Sequence, residues 1–210
     1  PEVVEAAARA ARDYGCAAGG SRLITGNLTL HERLEEELAA FFGTPAALAF
    51  STGYMANAGV IPALVGPEDA VVSDALVHAS LIDGCRLARA AVYVFEHGDA
   101  DSLDAVLRKA TAAHRRVLVA LDGVYSMDGD VAPLRELVPV ARRHDAMVLL
   151  DDAHGTGALG ANGRGSAELL GVGGIDVLVG TLGKALGSFG AFVAGGLALR
   201  ELLVNAGRPF

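Results

Sequence analysis

The sequence has 210 residues, 52% of them hydrophobic, and a mean hydropathy of +0.39, which excludes a disordered chain and favours one large domain over two small ones. Seventeen Lys and Arg against 25 Asp and Glu leave a formal net charge of −8, which excludes an electrostatic footprint for nucleic acid or an anionic membrane surface. Glycine, at 27 residues, has nearly double its usual share, so some loops are expected to approach a ligand closely.

Residues 2–14 are Ala-rich with helical spacing and end at Gly15, a helix stop. The chain opens at Pro1 without Met or a signal-peptide pattern; it is read as a piece of a longer protein, soluble and cytoplasmic. A Gly-rich loop over 15–27 precedes a second helix, 30–42, whose apolar positions Leu34, Leu38, Phe41 and Phe42 recur at helical intervals. Residues 38–67 carry no charge, but Gly43, Pro45, Gly53, Asn57, Gly59, Pro62 and Gly66 interrupt them. No unbroken apolar helix of ~20 residues fits there, so no membrane span is expected. Short apolar runs then recur at 46–50, 70–73, 92–95, 117–121, 147–151, 176–180 and 190–194, with helical stretches at 78–89, 101–113 and 133–144. Runs without in–out alternation predict strands covered on both faces, and strand–helix alternation predicts parallel pairing. Only about ten residues separate the last two strands, marginal for a crossover helix, so 190–194 is expected to run antiparallel. The expectation is a three-layer α/β domain around a seven-stranded, mostly parallel sheet with one reversed strand.

In such a sheet ligands lie off the carboxyl ends of the strands, and the unusual polar residues collect there. Lys184 sits among Gly183, Ala185, Leu186 and Gly187; it is either a solvated loop lysine or an amine held in apolar surroundings, with lowered pKa and nucleophilic character. Asp151 ends the run Met147-Val148-Leu149-Leu150. It is either a turn or capping residue or a buried carboxylate that needs a cationic partner, such as a protonated ring nitrogen. His154, three residues on, could bond the same ligand. Gly53 and Tyr54 open a helix directly after a strand, where free N–H groups and the helix dipole favour an anion. Thr181 and Ser126 add hydroxyls at neighbouring strand ends. His78 either caps helix 78–89 or lies flat against an aromatic ligand. His31, His97, His114 and His144 read as surface residues. Cys16 and Cys85 fit neither a disulfide framework nor a metal site, and no His/Cys/Asp/Glu spacing suits a metal. No Walker loop is present, and the GxGxxG spelling at 155–160 is followed by further turn residues, not by a helical pattern, which argues against a nucleotide. A lysine amine, a carboxylate for a ring nitrogen and a phosphate pocket together describe pyridoxal 5′-phosphate (PLP).

Six segments resemble the α-oxoamine synthases: GGSRLITGNLTLHERLEEELA (19–39), STGYMANAGV (51–60), SDALVHASLIDGCRLARA (73–90), DGVYSMDGDVAPL (122–134), LDDAHGTGALGANGRGS (150–166) and GTLGKALGSFGAF (180–192). The resemblance spans nearly the whole chain and implies the large domain of the type I PLP-dependent transferase fold. It implies acyl transfer from an acyl-CoA or acyl-carrier thioester to an amino acid, here L-alanine, in a homodimer. It gives Lys184 the covalent link to PLP and the substrate α-proton. Asp151 would face the pyridinium nitrogen and His154 the ring hydroxyl, with His78 stacked on the ring. Gly53, Tyr54 and Thr181 would meet the phosphate, and Ser126 the cofactor near its ring oxygen. Family members run to nearly twice this length, so residues 1–210 are expected to be the PLP-binding large domain without the family's N-terminal arm and C-terminal small domain. A family member that kept the fold without the chemistry would be expected to lack the lysine, and Lys184 is present.

Overall fold

The computed structural model describes residues 1–210 and contains seven strands and eight helices. The strands are β1 (Ala46–Phe50), β2 (Ala70–Asp74), β3 (Ala91–Phe95), β4 (Val117–Asp122), β5 (Met147–Asp151), β6 (Val177–Thr181) and β7 (Ala191–Gly195). They form one sheet in the order β1-β7-β6-β5-β4-β2-β3. β7 is antiparallel to both neighbours, and all other pairs are parallel. The short interval before β7 therefore has the effect expected of it. Too short for a crossover, it reverses the chain and leaves an exposed loop, 183–189, at the carboxyl end of β6.

Alternate residues of the central strands feed two separate cores, which is why those strands read as unbroken apolar runs. Val117, Val119 and Leu121 of β4 face one core, together with α2 (Thr29–Phe42), α5 (Ala100–Ala113) and α6 (Leu134–Arg143). Leu118 and Ala120 face the other, beneath α3 (Gly53–Leu64), α4 (Ala79–Ala88) and α8 (Leu197–Ala206). The expected double covering fails at one edge: Val92 and Val94 of β3 are 48% and 58% exposed, because no helix crosses that face of the outermost strand. The helices α7 (Ser166–Leu170) and α8 were not anticipated, and α1 (Glu2–Tyr14) forms as read but buries none of its residues. No helix is long and apolar enough to cross a membrane. The uncharged stretch 38–67 is divided among the end of α2, β1 and α3.

α3 and α4 pack closely because α4 offers Gly84 at the crossing. A Cβ there would lie 2.9 Å from the Asn57 carbonyl and 2.8 Å from Ile61 Cδ1. Alanine would gain about 0.5–1 kcal/mol of helix propensity, but forcing the helices apart costs about 1–3 kcal/mol. Gly84→Ala is therefore expected to lower stability, read as a lower denaturant midpoint with an unaltered slope.

Candidate active site

The sheet brings all eight candidate residues to one cavity. Gly53, Tyr54, His78, Ser126, Asp151, His154, Thr181 and Lys184 line it, joined by Ser80, Asp122, Val124 and Ala153. Its volume of about 210 Å³ is several times the ~30 Å³ share of one water, room for a small ring.

β5 supplies Asp151, 8% exposed. Its Oδ2 accepts from Asn57 Nδ2 at 2.6 Å and its Oδ1 from the Ala153 amide at 3.1 Å. Both donors are neutral and no cation pairs with it inside the chain, so a buried carboxylate faces the cavity with its charge uncompensated. Asn57 also donates to Ser80 Oγ at 2.9 Å, which ties α3 and α4 to this carboxylate.

Asp152 turns the other way. It is fully buried, its Oδ2 accepts from the Ser166 amide at 2.7 Å, and burial raises its pKa to about 6. Gly155 and Gly165 crowd this carboxylate so closely that a Cβ at either would overlap it. Asp152 thus braces the turn that carries His154.

After β6, Lys184 projects from the reversal loop. Its Nζ lies 2.8 Å from His154 Nε2. Partial burial lowers the lysine pKa, against the opposing pull of Asp151 and Asp122. Burial, and then the lysine charge, lower that of His154. Both shifts favour neutral forms, and a neutral imidazole can accept from the amine. The loop is exposed rather than apolar; the immediate neighbour of the amine is the imidazole, not a hydrophobic wall. Thr181 closes the loop at its base, donating to the Gly190 carbonyl at 3.1 Å and accepting from the Gly183 amide at 3.3 Å.

At the opposite rim α3 begins. Thr52 Oγ1 accepts from Met55 N at 3.1 Å, while the amides of Gly53 and Tyr54 have no partner in the chain. A Cβ at Gly53 would meet nothing within 4 Å. Two free N–H groups at the start of a 12-residue helix, beside open space, suit an anion. His78 serves as the cap of α4: its Nδ1 accepts from the Ser80 amide at 3.2 Å and contacts Ser80 Oγ at 2.7 Å. The same residue lines the cavity, so its two readings are compatible. Ser126 is exposed on the loop after β4.

That loop is clasped by His97, whose Nδ1 meets Asp74 Oδ1 and whose Nε2 meets Asp130 Oδ2, both at 2.9 Å. Burial opposes the charge on His97, but the two carboxylates together raise its pKa. The surface reading of the other histidines is likewise corrected. His31, His114 and His144 are half-buried, held by the Leu28 amide, the Tyr93 hydroxyl and Asp104 respectively. Imidazoles at element ends find local partners that composition does not reveal. Ser80 and Asp122 in the cavity wall, and Asn57 behind it, are polar groups to which the sequence assigns no individual role. The available signal for Asn57 was an amide amid the otherwise apolar Gly53–Leu64 helix.

Comparison with known proteins gives concordant results. The family model for aminotransferase class I and II matches residues 1–210. The 8-amino-7-oxononanoate synthase of Geobacter metallireducens is 54% identical over 211 residues, covering 100% of this chain and 54% of that protein. The chain thus spans about half the length of the curated relatives it matches. Among solved structures, a serine palmitoyltransferase from S. paucimobilis with a bound PLP–myriocin adduct superposes with a TM-score of 0.94. It is 43% identical and covers 100% of this chain and 54% of that one. An 8-amino-7-oxononanoate synthase from Francisella tularensis superposes with a TM-score of 0.81 at 27% identity, covering 98% and 57%.

Proposed function

This chain belongs to the aminotransferase class I and II family, and on that premise we propose that it is the PLP-binding large domain of an α-oxoamine synthase. Its proposed reaction yields 8-amino-7-oxononanoate, the product in the name that curated relatives carry. L-alanine condenses with a pimeloyl thioester, on CoA or a carrier protein, to give 8-amino-7-oxononanoate, CO₂ and the free thiol, a step of biotin biosynthesis. The single observation that carries the reading is the arrangement of the cavity. A lysine amine of lowered pKa, a buried carboxylate without a cation and two free helix-start amides surround one ring-sized space.

These groups fit PLP by their chemistry. The Gly53 and Tyr54 amides would hold the phosphate, with Thr181 beside it. Asp151 would compensate a protonated ring nitrogen, which would remove the uncompensated charge in the cavity. His78 would stack on the ring, and Ser126 and His154 would bond its oxygen. When bound, the cofactor supplies an electron sink for charge developing at the amino-acid α-carbon. Lys184 would hold the aldehyde and, once freed from it, would receive the substrate α-proton and later return one. Neutral His154, 2.8 Å from that amine, orients its lone pair. A homodimer accompanies this reading. Met127 and Phe189, next to Ser126 and within the Lys184 loop, are 92% and 76% exposed, an apolar rim for a second copy.

Turnover assays of the full-length protein with alanine or glycine, crossed with pimeloyl-CoA or acetyl-CoA, test the substrate assignment. Turnover is expected with alanine and pimeloyl-CoA. Turnover only with glycine and acetyl-CoA would make the protein a glycine C-acetyltransferase instead. No condensation with any pair, PLP being bound, would leave a noncatalytic family member.

A further inference from the structure

Behind the cavity wall lies a buried side chain that these roles leave out. Asn57 is fully buried in α3, the one polar side chain among the buried residues of that helix. Its Nδ2 donates twice, to Asp151 Oδ2 at 2.6 Å and to Ser80 Oγ at 2.9 Å, while its buried Oδ1 has no partner. Turning the amide over would set Oδ1 against the carboxylate, acceptor facing acceptor. The Asp151 carboxylate therefore fixes which end of the amide reaches Ser80. An unpaired buried acceptor is destabilising; the contribution of the amide lies in its two aimed donors.

The second donor reaches further. Ser80 Oγ accepts from Asn57, and its own hydrogen has an acceptor in His78 Nδ1, 2.7 Å away. The Ser80 amide is aimed at the same nitrogen from 3.2 Å. A backbone N–H can only donate, so Nδ1 must present its lone pair, and the neutral ring keeps its proton on Nε2. His78 itself is exposed and lines the cavity. Asp151 at the end of β5, Asn57 in α3, and Ser80 and His78 at the start of α4 thus form one directed series of hydrogen bonds. In such a series each bond polarises the next.

We propose that Asn57 is a positioning residue that acts through Ser80 to set the tautomer of the His78 imidazole and couples that ring to the Asp151 carboxylate. The proposal rests on the reading of this cavity as a PLP site, in which the carboxylate faces the ring nitrogen and the imidazole stacks on the ring. Asn57 touches neither cofactor nor substrate. It joins the edge partner and the face partner of one heterocycle into a single unit. Without the amide the Ser80 hydroxyl is free to turn and to accept from Nδ1, and the imidazole is no longer confined to one tautomer.

The test joins a spectroscopic readout to a double-mutant cycle on the full-length protein. Nitrogen NMR of the PLP-loaded protein, made with isotopically labelled histidine, tells a protonated from an unprotonated ring nitrogen. His78→Gln identifies the His78 signals by their loss. At about pH 8, above the ordinary imidazole range, the parent is expected to carry the His78 proton on Nε2 alone. Ser80→Ala and Asn57→Ala are each expected to show a share of the Nδ1–H tautomer. Equilibrium dialysis of PLP should find Ser80→Ala weaker by about tenfold and Asn57→Ala, which also strips a donor from Asp151, by about 10- to 100-fold. The double variant should bind as Asn57→Ala does, because both changes cut one series. A parent proton on Nδ1, a tautomer unchanged in Ser80→Ala, or a double variant about tenfold weaker than Asn57→Ala overturns the proposal. Ser80→Ala leaves Asp151 its donor, so the tautomer result decides even where Asn57→Ala does not fold. A parent that binds no PLP overturns the underlying reading of the site itself.

Discussion

Lys184→Ala is expected to lower turnover by at least about 10²–10⁴-fold, the usual contribution of a positioned general base, and to replace the near-visible absorbance of the amine–aldehyde link by that of the unlinked aldehyde. The two readouts report different losses. Absorbance follows the covalent link between amine and aldehyde, whereas turnover also follows the α-proton. PLP should still bind this variant, because the helix-start amides, Asp151 and His78 remain in place. The lysine lies in an exposed loop whose neighbours Gly183 and Gly187 have little packing to lose, so folding should survive. Retention of the linked-form absorbance in Lys184→Ala would remove this residue from its role.

Asp151→Asn is expected to cost about 10²–10⁴-fold in turnover, the range for breaking a buried charge pair by neutralising one member. The amide preserves shape but cannot compensate a protonated ring nitrogen. Cofactor affinity should fall with turnover, while the cofactor-free protein should melt no earlier than the parent, because it loses a buried charge that has no cation. That opposition separates a role toward the ligand from a structural one. Calorimetry of the stripped protein with dialysis of PLP measures both. A variant that melted early and bound PLP normally would make Asp151 a fold residue.

Much of the architecture was legible because local patterns and global fold agree. The strands of the central sheet lie in two-sided cover, so their apolar runs have no alternation to mislead. β7 declared its direction through the length of the preceding loop alone. The polar residues at strand ends were legible for the same reason, since chain order already placed Asp151, Thr181 and Lys184 beyond buried strands. Each of the missed features arises from contacts remote in sequence. Asn57 matters because α3 lies over β6 and β7 and reaches the end of neighbouring β5, bringing it to Asp151 across 94 residues of chain. Asp122 reads as an ordinary strand-end carboxyl until β4 and β5 pair and set it beside Asp151. His97 reads as a surface imidazole until β2 and the loop after β4 present one carboxylate to each ring nitrogen. The exposed face of β3 follows from its place at the sheet edge, a property of strand order rather than composition.

On this reading one amine, that of Lys184, holds one aldehyde. Borohydride reduction of the PLP-loaded protein, followed by proteolysis and mass analysis of the peptides, reads that bond directly. The expected result is one modified site, Lys184, in the peptide bearing Gly183-Lys184-Ala185 and heavier by a single reduced pyridoxyl phosphate. Modification of Lys109, the other lysine of this chain, or recovery of an unmodified Lys184 peptide from fully loaded protein, would contradict it.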